Sequence, residues 1–250
     1  MRSPTRFAKK LEVQTDDMLH KLSLQQNNLQ GKPEKTNNTV INSNDTFRLV
    51  EQWSQLAMKS HSNNHNKKYA ALRCHDIIQA LEERCKGTPL EPTRHFYDLL
   101  LVVLCSTGQV SLAQEILLNN AKNVLDEQTP KQGNTKKVSA KSFHIVMNGW
   151  INDYNNNNNF DYHDCKQKTR NPGTQYGNQC LQQVQKLYRE LELLYESSSS
   201  SSSSSTGQKD LELKPNERTL TAILAAWAQS EHENAHTTIV QLLQERAFNE

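Results

Sequence analysis

The chain has 250 residues, 35% of them hydrophobic, a net charge of +2 and five cysteines. That length fits one or two domains, and so low an apolar fraction requires part of the sequence to stay unpacked. No apolar run approaches the roughly 18 residues of a membrane span, which excludes a membrane partner of that kind. Near-neutral charge neither compels nor excludes a polyanionic partner, because a helical array can be basic along one face only. The cysteines (Cys74, Cys85, Cys105, Cys165 and Cys180) are odd in number and form no CxxC pair. They suit a reducing compartment better than a disulfide framework.

Residues 1–44 read as mostly unstructured, with a short helix around Met18–Leu24. The opening MRSPTRFAKKL carries four basic residues and no acid, a faint organelle-targeting signal that Asp16 and Asp17 weaken. From Asp45 to residue 250 the pattern becomes one of helical units interrupted by polar inserts. Asp45 or Thr46 can cap a helix through Phe47, Val50, Trp53 and Leu56 to Met58, broken by SHSNNHNKK. A second helix runs from Tyr69 to Arg84 with Leu72, Ile77, Ile78 and Leu81 on one face, and Lys86-Gly87-Thr88-Pro89 stops it. Pro92 and Thr93 lead into a helix over Arg94–Ser106, Gly108 makes the turn, and Ser111–Lys122 returns with Ala113, Ile116 and Leu117 inward. This hairpin of about 35 residues has the size of one α-solenoid repeat.

A third unit pairs a helix over Ala140–Asn152 with one over Cys180–Glu196. A long insert at about 154–179 separates them, and a polyserine insert at about 197–214 follows. Asn and Ser tracts of this kind bury too little apolar surface to offset an ordering entropy of roughly 1–2 kcal/mol per residue. The last unit opens at KPNERTLTAILAAWAQS, and its second helix spans Ala235–Ala247.

These units share one register. YDLLLVVLCSTG from Tyr97, FHIVMNGWINDY from Phe143 and LTAILAAWAQSE from Leu220 place apolar or small residues three, four, seven and eight positions after the first. Those positions form the buried stripe of a helix. A large residue (Leu104, Trp150, Trp227) recurs seven positions after the anchor each time; in the Phe47 unit Trp53 falls one step early. The second helices align as well, at Cys74-His75-Asp76-Ile77-Ile78, Ala113-Gln114-Glu115-Ile116-Leu117 and Val184-Gln185-Lys186-Leu187-Tyr188. The expectation is an all-α chain: an α-solenoid of about four helix–turn–helix repeats over residues 45–250, with long low-complexity inserts. Trp150 and Trp227 lie on the apolar stripe and read as core wedges rather than base-stacking platforms. A solenoid end exposes an apolar face unless capped, so the sequence is expected to belong to a longer array or to be partnered at its C-terminal end.

EPTRHFYDLLLVVLCSTGQVSLAQEILLNNA, with Pro92, Tyr97, Leu104, Cys105, Gly108 and Ala113, resembles the pentatricopeptide repeat family almost throughout. KPNERTLTAILAAWAQS matches the first half of that repeat with Leu220 in place of the aromatic, and SAKSFHIVMNGWI matches it without the proline. The resemblance implies a right-handed α-solenoid without enzymatic activity or cofactor that binds single-stranded RNA in a mitochondrion or plastid. Its mode would be that of an adaptor in RNA processing or stability. The cytoplasm is the alternative location. Carried over by position, the base-reading residues would be Asp98 with Ser139, His144 with Asn216, and Thr221. Only Thr221 is a usual base-reading type at its place. The position that usually sandwiches the base holds His95, Lys141 and Arg218, which instead suit phosphate contact and weakly selective binding. A protein–protein scaffold is the alternative function, since solenoids of any repeat type can present a groove to other proteins.

Other constellations carry less. His232-Glu233-Asn234-Ala235-His236 spells HExxH, which on a helix can hold zinc. It begins in the expected hairpin turn, follows polar Ser230-Glu231, and has no third ligand at metzincin spacing. His61 and His65 fall in a polar insert, and His163, Cys165 and Cys180 lack the second pair of a structural zinc site. No phosphate-loop, dinucleotide or nucleophile-elbow motif occurs. No metal or cofactor site is expected.

Overall fold

The computed structural model describes residues 6–30, 43–59, 64–86, 88, 90–126, 138–161, 172–200, 212–230 and 232–247. The described residues form helices and turns, with no strand. In order they are α1 (Arg6–Gln30), α2 (Ser43–Met58), α3 (Asn64–Arg84), α4 (Arg94–Ser106), α5 (Val110–Asp126), α6 (Ala140–Asp161), α7 (Pro172–Ser200), α8 (Glu217–Gln229) and α9 (Ala235–Ala247). None is long and apolar enough to cross a membrane, among the described residues. Two compact units divide the helices, α1–α4 and α5–α9. The division falls after Gln109, inside the stretch that reads in sequence as the cleanest hairpin.

In the first unit α2 and α3 pack together and α4 packs on both. In the second unit α6, α7 and α8 repeat that triad, and α9 packs on α8. An additional helix precedes each triad: α1 lies on α2 and α3, and α5 lies on α6 and α7. Both units therefore share one scheme of neighbours. Burial keeps the helical period of the sequence register but not its steps: the third residue after the anchor is buried throughout, whereas the fourth, seventh and eighth are not buried in every helix. With Phe47, Tyr97, Phe143 and Leu220 as anchors of α2, α4, α6 and α8, three positions are buried in all four helices. They are the preceding residue (Thr46, Phe96, Ser142, Thr219), the third residue on (Val50, Leu100, Val146, Ile223) and the sixth (Trp53, Val103, Gly149, Ala226). In the second helices the buried levels are Ala71, Val110 and Leu181; Cys74, Ala113 and Val184; Ile78, Leu117 and Tyr188; and Leu81, Asn120 and Leu191.

Helix α1 departs from the sequence reading, which anticipates only Met18–Leu24 in an otherwise unstructured segment. Leu11, Thr15, Met18 and Leu22 form its buried face. Thr15 escapes an apolar-periodicity reading because it is polar. It belongs to the core nonetheless: its hydroxyl donates to the Leu11 carbonyl at 2.8 Å and accepts the Trp53 indole N–H at 2.9 Å. Trp53 is fully buried with its edge on Tyr69, ring centroids 6.1 Å apart. This explains why a tryptophan one step early is tolerated: it fills the space between α1 and α3. Around the rim, Arg73 of α3 meets Glu12 and Asp16 of α1, each at 2.9 Å, and Arg84 donates to the Leu19 carbonyl at 3.0 Å.

The second unit carries a related anchor. Trp150 of α6 donates to Gln114 Oε1 at 2.6 Å, and Gln114 Nε2 donates to Gln183 of α7 at 2.7 Å. One amide side chain on α5 thus ties three helices together. Tyr154 Oη donates to the Gln229 carbonyl at 3.2 Å, and Gly177 of α7 approaches the same spot. A β-carbon there would stand 3.1 Å from the Gln229 carbonyl oxygen and 3.4 Å from the Tyr154 ring.

Helix α4 has the limits read from sequence. Its end is a Schellman turn, in which Gln109 N–H reaches the Leu104 carbonyl at 2.9 Å and Gly108 N–H the Cys105 carbonyl at 3.3 Å. Gly108 has φ 73° there, a conformation that costs glycine little. The inserts are shorter than the sequence implies. Helix α6 continues through the asparagine run to Asp161, and α7 starts at Pro172 and reaches Ser200. Residues 162–171, with His163 and Cys165, and residues 201–211 lie outside the described residues. Cys74 and Cys180 are buried, whereas Cys105 is half-buried. Burial pushes the Cys74 and Cys180 thiols up to about 12, so both remain protonated near neutrality.

Candidate nucleic-acid interface

The residues that the sequence marks for RNA contact all lie at the starts of first helices, and capping chemistry sorts them. In α4, α6 and α8 the position four before the anchor is the N-cap, a place for Ser, Thr or Asn; in α2 it is Ser43, already inside the helix. Asn216 caps α8: its Oδ1 accepts from Arg218 N–H at 3.0 Å and Thr219 N–H at 3.3 Å, while Thr219 Oγ1 accepts the Asn216 N–H at 2.9 Å. Ser139, buried, does the same for α6 with Ser142. Ser142 N–H lies 3.4 Å from Ser139 Oγ, and Ser139 N–H donates to Ser142 Oγ at 3.2 Å. Thr93 is the N-cap of α4 without a side-chain cap bond. Two of the residues assigned to base reading, Ser139 and Asn216, therefore use their polar atoms to start helices.

Asp98 is only 5% exposed. It sits in the core of the first unit, away from any ligand at the surface. Thr221 is exposed, with its hydroxyl donated to the Glu217 carbonyl at 2.8 Å.

The position two before each anchor is exposed in all four helices: Asp45, His95, Lys141 and Arg218. This is the level at which the sequence places a cationic stripe, and Asp45 supplies an acid where the stripe would start. In the second unit the geometry brings two candidates together. The Arg218 charge reaches His144, whose pKa is lowered first by burial and then by that guanidinium. His144 Nε2 lies 2.8 Å from Asn148 Nδ2. The amide N–H donates to this ring nitrogen, which leaves the imidazole neutral with its proton on Nδ1. Beside them, Ala140 N–H donates to the Glu212 carbonyl at 2.8 Å. That bond fixes the segment leading into α8 against the start of α6. Exposed charges at these two helix starts are Lys141, Lys214 and Arg218 against Glu212 and Glu217, so the edge is net basic.

The first unit has the same layout with different chemistry. His95 stacks on Phe47 (centroids 5.1 Å apart, planes 30° apart), and Phe47 meets the edge of Phe96 at 5.2 Å. A cleft of about 180 Å³ opens here between the starts of α2 and α4, lined by Asn44, Thr46, Phe47, Leu90, Glu91, Thr93 and Phe96. Asp45 and Glu91 offset Arg48 and Arg94, so no basic edge forms. Sequence reasoning missed Phe47 as the partner of His95, and Asn148 as that of His144. The second was accessible from the four-residue spacing on one helix.

The HExxH residues do not share a helix face. His232, Glu233 and Asn234 form the turn before α9, which begins at Ala235. His232 packs edge-on against Trp227, and its Nδ1 accepts the Asn234 N–H at 3.3 Å. His65 stands exposed in the first turn of α3 rather than in a loop, and His61 lies outside the described residues. No group of three potential metal-ligating side chains occurs among the described residues.

No protein-family model matches the chain, and neither a curated protein nor a solved structure matches it significantly.

Proposed function

We propose that the chain is a short helical-repeat protein, similar in design to pentatricopeptide proteins, that holds single-stranded RNA along the starts of its first helices. It acts as a non-enzymatic adaptor in organellar RNA processing or stability. The observation that carries this reading is the net-basic edge formed where α6 packs on α8, with Lys141 and Arg218 exposed at equivalent positions of the two helix starts. Recurrence of the burial pattern in four first helices supports the repeat architecture, and a stacked solenoid is its natural extension. With Asp98 buried and Ser139 and Asn216 engaged as caps, base readout is poor. Lys141 and Arg218 contact phosphates, Thr221 and the Nδ1–H of His144 add polar contacts, and affinity depends on charge more than on sequence.

Fluorescence anisotropy with single-stranded RNA tests this. Lys141→Ala combined with Arg218→Ala is expected to weaken binding at least tenfold at low salt. Wild-type affinity in the double variant would overturn the phosphate assignment. A mitochondrial or plastid location follows from the resemblance alone, with the cytoplasm as the alternative, and imaging of the tagged chain decides between them. The second reading, a scaffold for other proteins, is favoured by the aromatic cleft of the first unit, where Phe47, Phe96 and Leu90 offer apolar contact without a basic edge.

A further inference from the structure

The cations at the starts of α6 and α8 are each followed, one turn on, by a polar side chain whose hydrogen-bonding sense is fixed. His144 stands three residues after Lys141, and Thr221 three after Arg218, so each shares a helix face with its cation. They occupy equivalent positions, one past the anchors Phe143 and Leu220, on helices that pack together. Asn148 donates its amide N–H to His144 Nε2 at 2.8 Å. Burial and the Arg218 guanidinium hold the His144 pKa below its ordinary value, so the ring is neutral near pH 7 with its proton on Nδ1. No other hydrogen bond to this ring forms among the described residues, and His144 therefore offers a ligand a donor. Thr221 is exposed and commits its hydroxyl proton to the Glu217 carbonyl at 2.8 Å. Its Oγ1 keeps only lone pairs to offer, so Thr221 presents an acceptor.

A phosphate diester accepts hydrogen bonds and donates none, so it can use His144 but leaves Thr221 Oγ1 unmatched. The ribose 2′-hydroxyl both donates and accepts, and it is the group that separates RNA from DNA. We propose that His144 and Thr221 each meet a ribose 2′-hydroxyl of the strand held by Lys141 and Arg218. His144 donates and Thr221 accepts, so the second unit prefers RNA over single-stranded DNA. Asn148 is a positioning residue: it acts by fixing the His144 tautomer and touches no ligand itself. Base edges differ in donor and acceptor pattern along a strand, whereas every ribonucleotide repeats the same hydroxyl. Sugar recognition is therefore compatible with weak sequence preference. This inference rests on the strand-binding reading above and adds to it the sugar that is selected.

Fluorescence anisotropy of the full chain with short oligomers of uridine, deoxyuridine and 2′-fluorouridine tests it. The fluorinated sugar keeps the ribose pucker without the hydroxyl. Uridine is expected to bind about tenfold tighter than either of the others, the effect of two neutral hydrogen bonds. All the oligomers are expected to share one salt slope, because their phosphates are the same. Thr221→Val removes the acceptor, and Asn148→Ala frees the tautomer. Each is expected to lower the ratio of uridine to deoxyuridine affinity about threefold with deoxyuridine affinity unchanged, a pattern that loss of folding cannot produce. Nitrogen NMR of the imidazole is expected to show the Nδ1–H form in the wild type and a mixture of tautomers in Asn148→Ala. Salt-dependent binding with equal affinity for uridine and deoxyuridine overturns this inference and leaves the phosphate contacts standing. A 2′-fluorouridine oligomer bound as tightly as uridine also overturns it, as do variants that keep the full ratio. Absence of salt-dependent binding to any oligomer overturns both readings.

Discussion

Two tryptophans illustrate how much a single polar partner contributes. Trp53 is sealed from solvent, and Thr15 is the acceptor of its indole N–H. Replacing Thr15 by the isosteric Val leaves that donor buried and unmatched, which costs about 1–3 kcal/mol. Trp150 is half-buried, so Gln114→Leu is expected to cost less, because water can reach the indole N–H. Urea denaturation of both variants checks the order. His144 gives a pH test. Its folded pKa is depressed by burial and by Arg218, so the native state binds the proton more weakly than the unfolded chain. The stability that this neutral histidine preserves is full above about 6.5, the ordinary histidine value, and is lost as pH falls through the depressed pKa. His144→Asn is expected to flatten that part of the stability profile; an identical acid slope in the variant would show that His144 does not titrate as described. Several of these roles had no sequence signal. A carboxylate one step past the anchor reads as surface, yet Asp98 is buried, and Thr15 reads as a break in an apolar stripe.

Individual helices show the same division between legible and hidden. Pro92, Thr93 and Gly108 mark both ends of α4 so clearly that its limits agree with the sequence reading. The stripes of α2, α6 and α8 are equally plain. Helix α1 was hidden because three apolar residues and one threonine form too thin a stripe on their own. Its order comes from tertiary contacts at Trp53, Arg73 and Arg84, and Leu11, Met18 and Leu22 each contribute about 1.5–3 kcal/mol by burial. Deleting residues 1–30 is therefore expected to lower the melting temperature and broaden the unfolding transition by circular dichroism; an unchanged melt would mean that α1 adds nothing to the unit. The helical flanks of the inserts were hidden for another reason. Asparagine and serine have low helix propensity, yet α6 and α7 carry them as extensions of helices already fixed by their cores. In α7, Gly177→Val would drive side-chain atoms against the Gln229 carbonyl and the Tyr154 ring. The expected cost is about 1–3 kcal/mol, read as a lower urea midpoint.

Across the whole molecule, two groups of helices repeat one scheme of neighbours, and their first helices differ chiefly in the charge at their starts. Matching side chains at anchor-relative positions made the repeat readable from sequence, while the distribution of charge between the units depended on residues such as Lys214 and Glu91 that lie outside the helical stripe. The central claim is that the second unit holds an RNA strand by its phosphates. The salt dependence of single-stranded RNA affinity tests it most directly. Each phosphate contact contributes a slope of about −0.7 in log affinity against log salt. Removing Lys141 and Arg218 together is expected to shrink the slope by about 1.4. A wild-type affinity insensitive to salt, or a slope that survives both substitutions, would contradict the account.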